Sequence, residues 1–338
     1  MMRSSNPPKS LSIAILGATG YVGRTMVTLL AENPHFEITA LIGSAASVGR
    51  QFGDVWQEKE DRLCSHYGAI WQKKQIPAAV ADHLVDGLDI PSLENVDLVF
   101  SSVPEIAISD EQKIIDAGIR VISNNPIGRL VHPLIIPELF TEKPKNLMLK
   151  LPNCVSTGLA LALAPLKSLG IAELQATTFQ SLSGRGDRLY PKEWAVGNIF
   201  PIGSDVEETQ DYIADELKLL LDLSFLPQVR SYRVYVQEGH LVDVTVGFDK
   251  PISLQEIESI WENWNPLHAE KRPLILSKEA GHPQSKDTRA DDGMAVYIGN
   301  TQQRGAQTIA FTLGVHNIIR GAAGNAILTA EWLLNLTA

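Results

Sequence analysis

The run LSIAIL at residues 11 to 16, followed at once by GATGYVG and then by RTMVTLLAENP, constrains this chain more than any other stretch. A short, wholly apolar run fits a strand buried on both faces of a parallel sheet. Glycines at 17, 20 and 23 permit a tight turn and let a ligand approach the backbone. Strand, glycine turn and helix in that order form the first unit of a dinucleotide-binding fold, with a pyrophosphate seated at the helix N-terminus. Gly17, Thr19, Gly20, Tyr21 and Val22 are therefore candidate cofactor contacts. The plainer alternative is a tight turn without a ligand, and the flanking strand and helix weigh against it.

The alternation continues. FEITALIG reads as the second strand, and a cofactor with a free ribose hydroxyl usually meets an Asp or Glu at its end. Here Ser44, Ser47 and Arg50 stand there instead, donors suited to a 2′-phosphate, which favours NADP over NAD. Arg50 fits a solvated loop arginine equally well. Residues 51 to 95 read as a helix, connecting strands and a polar loop. DLVF then gives another buried strand with Ser102 just past its carboxyl end, where open parallel sheets face their ligand. After a helix over EIAISDEQKIIDAG and the strand RVISN, Arg129 follows in NNPIGR. It can bind an anion or pair with a surface acid.

The stretch LMLKLPNCVSTGLALALAPL, residues 147 to 166, is where a covalent nucleophile is to be sought. LMLKL reads as a strand and TGLALALAPL as an apolar helix, with Ser156 or Thr157 expected as N-cap. Cys154 then lies at or just before a helix N-terminus, where free amides and the helix dipole favour a thiolate, the nucleophilic form of the side chain. Packing as a small buried hydrophobe is the competing role for such a cysteine. Beyond it the pattern turns β-rich, through AELQATTFQSLSG, SYRVYVQ, LVDVTVGF, MAVYIGN and QTIAFTLGV, as in a mixed or antiparallel sheet. An acidic segment before residue 222 has helical apolar spacing at Tyr212, Ile213, Leu217, Leu220 and Leu221. The last element reads as an apolar-faced helix after a small-residue turn.

Composition narrows the function classes. A chain of 338 residues implies two domains. A net charge of −10 without a basic cluster argues against nucleic acid, and no apolar run is long enough to span a membrane. The polar lead-in MMRSSNPPKS lacks the apolar core of a secretory signal. The two cysteines, Cys64 and Cys154, are too few and too far apart for a disulfide framework, which implies a reducing, cytoplasmic setting. No metal-ligand spacing occurs among the histidines.

With these residues on the page, the chain resembles the aspartate-β-semialdehyde dehydrogenases, in particular their archaeal and fungal branch. GATGYVG, PNCVSTGLALALAPL, RVYVQEGHLVDVTV and DDGMAVYIGN with HNIIRGAAGNAI carry the likeness. FQSLSGRG and SNNPIGR…PLIIPE echo it, in the right order and almost end to end. The resemblance implies an α/β chain. A Rossmann-type NADP-binding domain would span 1–152 and be completed by a C-terminal helix, 317–338. A mixed α/β domain with a largely antiparallel sheet would span 153–316 and carry catalysis and oligomerisation. It implies interconversion of L-aspartate 4-semialdehyde and phosphate with 4-phospho-L-aspartate, on the way to lysine, methionine and threonine. Cys154 would be the nucleophile that forms a thiohemiacetal and then a thioester, His240 the general acid/base, and Gln180 the residue orienting the carbonyl. Arg233 would clamp the substrate carboxylate and Arg129 the phosphate. Ser183, Gly184, Asn317 and the turn from Gly321 to Gly324 would contact cofactor. A homodimer or homotetramer is implied as well.

The chain departs from the family pattern at two places. Leu151 and Val155 replace an asparagine and a serine around the cysteine. The family's acid-and-lysine block is represented by Glu207 or Glu208 without a lysine at the expected spacing, and Lys218 lies further along the helix. N-acetyl-γ-glutamyl-phosphate reductase, an acyl-thioester reductase of the malonyl type and a catalytically silent paralogue are the competing readings. Arg233 speaks for a free carboxylate near the reacting carbon. The set Cys154, His240, Gln180 and Arg233 speaks against silence.

Overall fold

The computed structural model describes residues 10–203, 212–267 and 272–336. Its first sheet has five parallel strands in the order β2-β1-β3-β4-β5: β1 (Leu11–Leu16), β2 (Phe36–Ile42), β3 (Leu98–Ser101), β4 (Val121–Ser123) and β5 (Met148–Lys150). The crossovers carry helices α1 (Tyr21–Leu30), α2 (Phe52–Tyr67) and α3 (Ile108–Asp116). The strand order reverses between β1 and β3, so a crevice opens at their carboxyl ends. Gly17 closes β1 there with φ +82°, and a Cβ on it would lie 3.0 Å from the backbone of Ser102, just past β3. Only glycine fits both the left-handed backbone and that approach.

α4 (Cys154–Leu163) follows β5 and is apolar all round, and every residue after Cys154 is buried. A helix of that kind is stable only inside a core. It is sandwiched against a seven-stranded sheet ordered β10-β11-β12-β9-β6-β8-β7. These strands are β6 (Ile171–Ser181), β7 (Ile199–Pro201), β8 (Gln228–Val234), β9 (His240–Phe248), β10 (Leu274–Leu276), β11 (Val296–Gly305) and β12 (Thr308–Val315). The pairs β10–β11 and β6–β8 are parallel, and the remaining four are antiparallel. One face is covered by α4, α6 (Ile213–Leu221) and α7 (Leu254–Asn263), with Leu159, Leu163, Leu217 and Trp261 in a common core. The opposite face carries Gln175, Thr177, Arg230, Asp243 and Thr245 in a shallow polar hollow. The short α5 (Lys192–Ala195) lies between β6 and β7 in the chain.

The chain returns to the first sheet at its end. α8 (Gly324–Leu333) buries Ala326, Ile327, Ala330 and Trp332 in the core that holds β1 and α1. The small-residue segment ahead of it is not the turn expected from sequence. It is a π-helical turn, Ile319–Ala323, continuous with α8. A π-turn widens the helix by one residue and is frequent beside functional sites.

Candidate active site

α4 begins one turn earlier than its serine and threonine suggest. The N-cap is Asn153, whose Oδ1 accepts from the Val155 amide at 2.8 Å, while Ser156 and Thr157 are buried inside the helix. Cys154 is thus the first helical residue, half-buried, its Sγ 3.8 Å from Asn153 Oδ1. Cys64, by contrast, lies within α2 and donates to Trp71 O at 3.5 Å, with burial raising its thiol pKa.

Cys154 lines a cleft of about 640 Å³. The same cleft is lined by Gly20, Tyr21 and Val22 of the glycine turn and by Ser102, Arg129, Gln180, Gly184 and Arg233. At the cofactor end Gly20 caps α1 without a side-chain acceptor. That leaves the first amides of a ten-residue helix for an anion, and a pyrophosphate fits this cradle. Thr19 is buried behind the turn, and its carbonyl accepts from Arg24. Ser44, Ser47 and Arg50 lie in the turn after β2 and do not line the cleft. Ser44 is exposed, Ser47 is buried, and Arg50 pairs with Glu58 at 2.8 Å on the surface.

The second sheet delivers the polar side chains. His240 and Arg233 are seven residues apart, yet β6 lies between their strands rather than a hairpin joining them. Both converge on Ser181, the last residue of β6. Arg233 Nη1 donates to Ser181 O at 2.7 Å, and the Ser181 amide donates to His240 Nδ1 at 3.0 Å. Because Nδ1 accepts that amide proton, the neutral ring carries its hydrogen on Nε2. Nε2 has no hydrogen-bond partner among the described residues. It lies 3.4 Å from where a Cβ on cleft-lining Gly184 would be, and Arg233 Nη1 lies 2.8 Å from the same point. Burial, reinforced by the charges of Arg233 and His316, holds the imidazole pKa well below the usual histidine value. His240, the first residue of β9, is fully buried, and burial favours its neutral form. Gln180 faces Arg233 across the parallel β6–β8 pair, with its Nε2 donating to Thr178 Oγ1 at 3.1 Å.

Two residues expected to contact cofactor lie instead behind the imidazole. Asn317 Nδ2 donates to Ser183 Oγ at 2.9 Å, and its Oδ1 accepts from the Gly239 amide and the Ser181 hydroxyl. Both are buried, and neither lines the cleft. Gly321, in the π-turn, packs against the nucleophile, and a Cβ there would fall 2.3 Å from Cys154 Cβ. Glu207 and Glu208 lie outside the described residues, and Lys218 is exposed.

Arg129 is buried, but its partner is not a surface acid. Its Nη1 donates to Glu216 Oε1 at 3.1 Å and its Nη2 to Asn124 O at 2.9 Å. Sequence reasoning missed Glu216, a fully buried carboxylate on α6. Its position was visible in the spacing, since it lies three residues after Ile213 and next to Leu217, on the face that packs against α4. Also missed were Lys74 and Glu238, paired at 2.7 Å beneath the glycine turn, where Tyr21 Oη donates to Glu238 at 2.8 Å.

Among known proteins, residues 12–147 match the family described as "Semialdehyde dehydrogenase, NAD binding domain". The aspartate-semialdehyde dehydrogenase of Archaeoglobus fulgidus is 31% identical over 96% of this chain and 98% of its own length. The malonyl CoA reductase (NADP) of Metallosphaera sedula is 29% identical over 96% and 97%. A solved structure of aspartate semialdehyde dehydrogenase with NADP, from Candida albicans, has the same fold. Its TM-score is 0.80 over 96% of this chain and 99% of that one, at 24% identity. An archaeal relative aligned nearly end to end, a family model over the first sheet and a shared two-sheet fold converge: the chain belongs to the aspartate-semialdehyde dehydrogenase family of oxidoreductases.

Proposed function

We propose that this chain is an NADP-dependent aspartate-semialdehyde dehydrogenase of amino-acid biosynthesis. It interconverts L-aspartate 4-semialdehyde and inorganic phosphate with 4-phospho-L-aspartate. One observation carries the reading: the first residue of a buried helix is a cysteine, and it shares a cleft with the glycine turn and with Arg129, Gln180 and Arg233. When bound, the nicotinamide supplies a hydride acceptor or donor at the substrate carbon. Cys154 attacks that carbon as a thiolate, which the amide end of α4 favours over the thiol. His240, with Nδ1 occupied by the Ser181 amide, offers Nε2–H to the carbonyl oxygen as charge builds there. Gln180 orients the carbonyl, and Arg233 holds the substrate carboxylate through two parallel hydrogen bonds that lysine cannot reproduce. Arg129 takes the phosphate, and Glu207 or Glu208 the substrate ammonium.

For the cofactor, Gly17 to Val22 and Ser102 hold the pyrophosphate side, and the turn after β2, outside the cleft, offers Ser44, Ser47 and, once it leaves Glu58, Arg50 to a 2′-phosphate. Ser183 and Asn317 act through His240. The division into a nucleotide domain over 1–152 with the C-terminal helix, and a catalytic domain over 153–316, follows the two sheets. A cytoplasmic homodimer or homotetramer built on the second sheet completes the reading. The uncovered polar face of that sheet and two cysteines outside any disulfide support it.

Replacing Cys154 by alanine is expected to abolish NADPH-dependent reduction of aspartyl phosphate and leave NADP affinity nearly intact. Unchanged turnover would end the covalent proposal. The malonyl CoA reductase relative favours one second reading, reduction of an acyl-CoA thioester at the same cysteine. Oxidation of malonate semialdehyde that depends on CoA rather than phosphate would select it.

A further inference from the structure

Glu216 is a buried charge beside the cleft that the mechanism above does not use. It is completely buried, and its two oxygens face different elements of the cleft. Oε1 accepts from Arg129 Nη1 at 3.1 Å, and Oε2 accepts from the Asn153 amide at 2.7 Å. Asn153 caps the helix that Cys154 begins, so one carboxylate ties the guanidinium to the turn that carries the sulfur. The Asn153 amide is one of the four donors at the start of α4 without an intrahelical acceptor. Glutamate often fills that role from the third residue of its own helix. Here it comes from α6, which packs on α4 through Ile213, Leu217 and Leu221.

The remaining contacts of Arg129 define its orientation. Nη2 is fixed on Asn124 O at 2.9 Å, while Nε is buried without a hydrogen-bond partner among the described residues. Arg129, Asn124 and Asn153 all line the cleft beside Cys154. A guanidinium held at two of its nitrogens, with a buried donor left over, is prepared for an anion rather than consumed by its ion pair. Replacing one partner of a buried pair leaves the other charge uncompensated, so loss of Glu216 would let Arg129 swing toward another acceptor.

Resting on the dehydrogenase reading above, we infer that Glu216 is a positioning residue for the phosphate half of the reaction. It aims Arg129 so that hydrogen phosphate is held next to the thioester on Cys154. In that step a phosphate oxygen forms a bond to the acyl carbon. The C–S bond breaks, and its electron pair returns to Cys154 as thiolate. The phosphate keeps its proton, so the sulfur needs none.

Glu216→Gln tests this, because glutamine retains an acceptor for the Asn153 amide and loses the charge facing Arg129. With aspartate semialdehyde and NADP but no phosphate, the burst of NADPH that reports acylation of Cys154 is expected to stay within twofold of wild type. The KM for phosphate in full turnover is expected to rise at least tenfold. A second measurement needs no turnover: inorganic phosphate should protect Cys154 of the wild type from iodoacetamide, and E216Q should need at least ten times more phosphate for the same protection. Glu216→Asp, which keeps the charge but is shorter by one methylene, should fall between the two and carries the test if E216Q does not fold. An unchanged phosphate KM and unchanged protection would overturn the inference, as would a burst that falls in proportion to turnover, which marks a merely structural role. A wild type whose Cys154 phosphate does not protect would also overturn it. A wild type protected by phosphate but giving no burst with aspartate semialdehyde would instead remove the proposed substrate and leave the anion site standing.

Discussion

Replacing Gly321 by alanine puts the contact between the π-turn and the nucleophile under direct strain. A Cβ at Gly321 would lie 2.3 Å from Cys154 Cβ and 2.9 Å from Cys154 Cα. Ordinary carbon contacts begin at 3.4 Å, so the first is short by 1.1 Å (3.4 less 2.3). Neither atom is the far end of a flexible side chain. Cys154 opens a helix whose other residues are all buried, and Gly321 is itself buried. Something in the backbone has to yield, at the ~1–3 kcal/mol typical of overpacking. If the nucleophile moves by ~1 Å, the loss in rate is about 100-fold. That corresponds to ~2.7 kcal/mol of barrier. The expected G321A enzyme binds NADP within about threefold of wild type, melts a few degrees lower, and loses about 100-fold in kcat/KM for aspartate semialdehyde. Steady-state kinetics, cofactor titration by fluorescence and a thermal melt read the three quantities. A folded G321A with kcat/KM within threefold of wild type would refute the reasoning, because the turn would then have yielded and the sulfur stayed in place.

Arg233→Leu is expected to raise the KM for aspartate semialdehyde by at least tenfold with little change for NADP; equal losses of both would make the arginine structural. Stability should also depend on pH through two buried histidines. Burial depresses the pKa of His316 to about 4 and holds His240 well below 6.5. Below pH 6.5 the unfolded chain takes up protons that the folded chain refuses, so stability is greatest above 6.5 and falls on acidification. The His316 share of that loss ends near pH 4, where the folded protein also protonates it. Each histidine contributes a slope of up to ~1.4 kcal/mol per pH unit. Urea unfolding at pH 7 and pH 5 measures the difference, and His316→Gln should reduce it; an unchanged slope would show that His316 is not the group responsible.

What the sequence revealed was what depends on neighbours in the chain. The strand, glycine turn and helix over residues 11 to 30 need only local backbone geometry and an apolar pattern, and the structure has all three. Cys154 at a helix start was legible for the same reason. Its cap was not, because Asn153 competes with Ser156 and Thr157 for that role and only the packing of α4 decides. The convergence of His240 and Arg233 depends on β6 lying between their strands, a pairing that brings together residues more than fifty positions apart. Glu216 was hidden by its residue type. On a helix it reads as a solvated acid, and among the described residues its carboxylate is met by the Arg129 guanidinium and the Asn153 amide, both far off in the chain. Ser183 and Asn317 read from the resemblance as cofactor contacts, and their hydrogen bonds run to each other and to Ser181, pairings that chain neighbours do not reveal.

Ser181 fastens arginine and imidazole through its own carbonyl and amide, atoms every residue type except proline supplies in full. Its fully buried hydroxyl adds a further tie, 3.1 Å from His240 Nδ1, so the site has room only for a small residue. An alanine there would keep arginine and imidazole joined through main-chain atoms while removing the hydroxyl that steadies the ring.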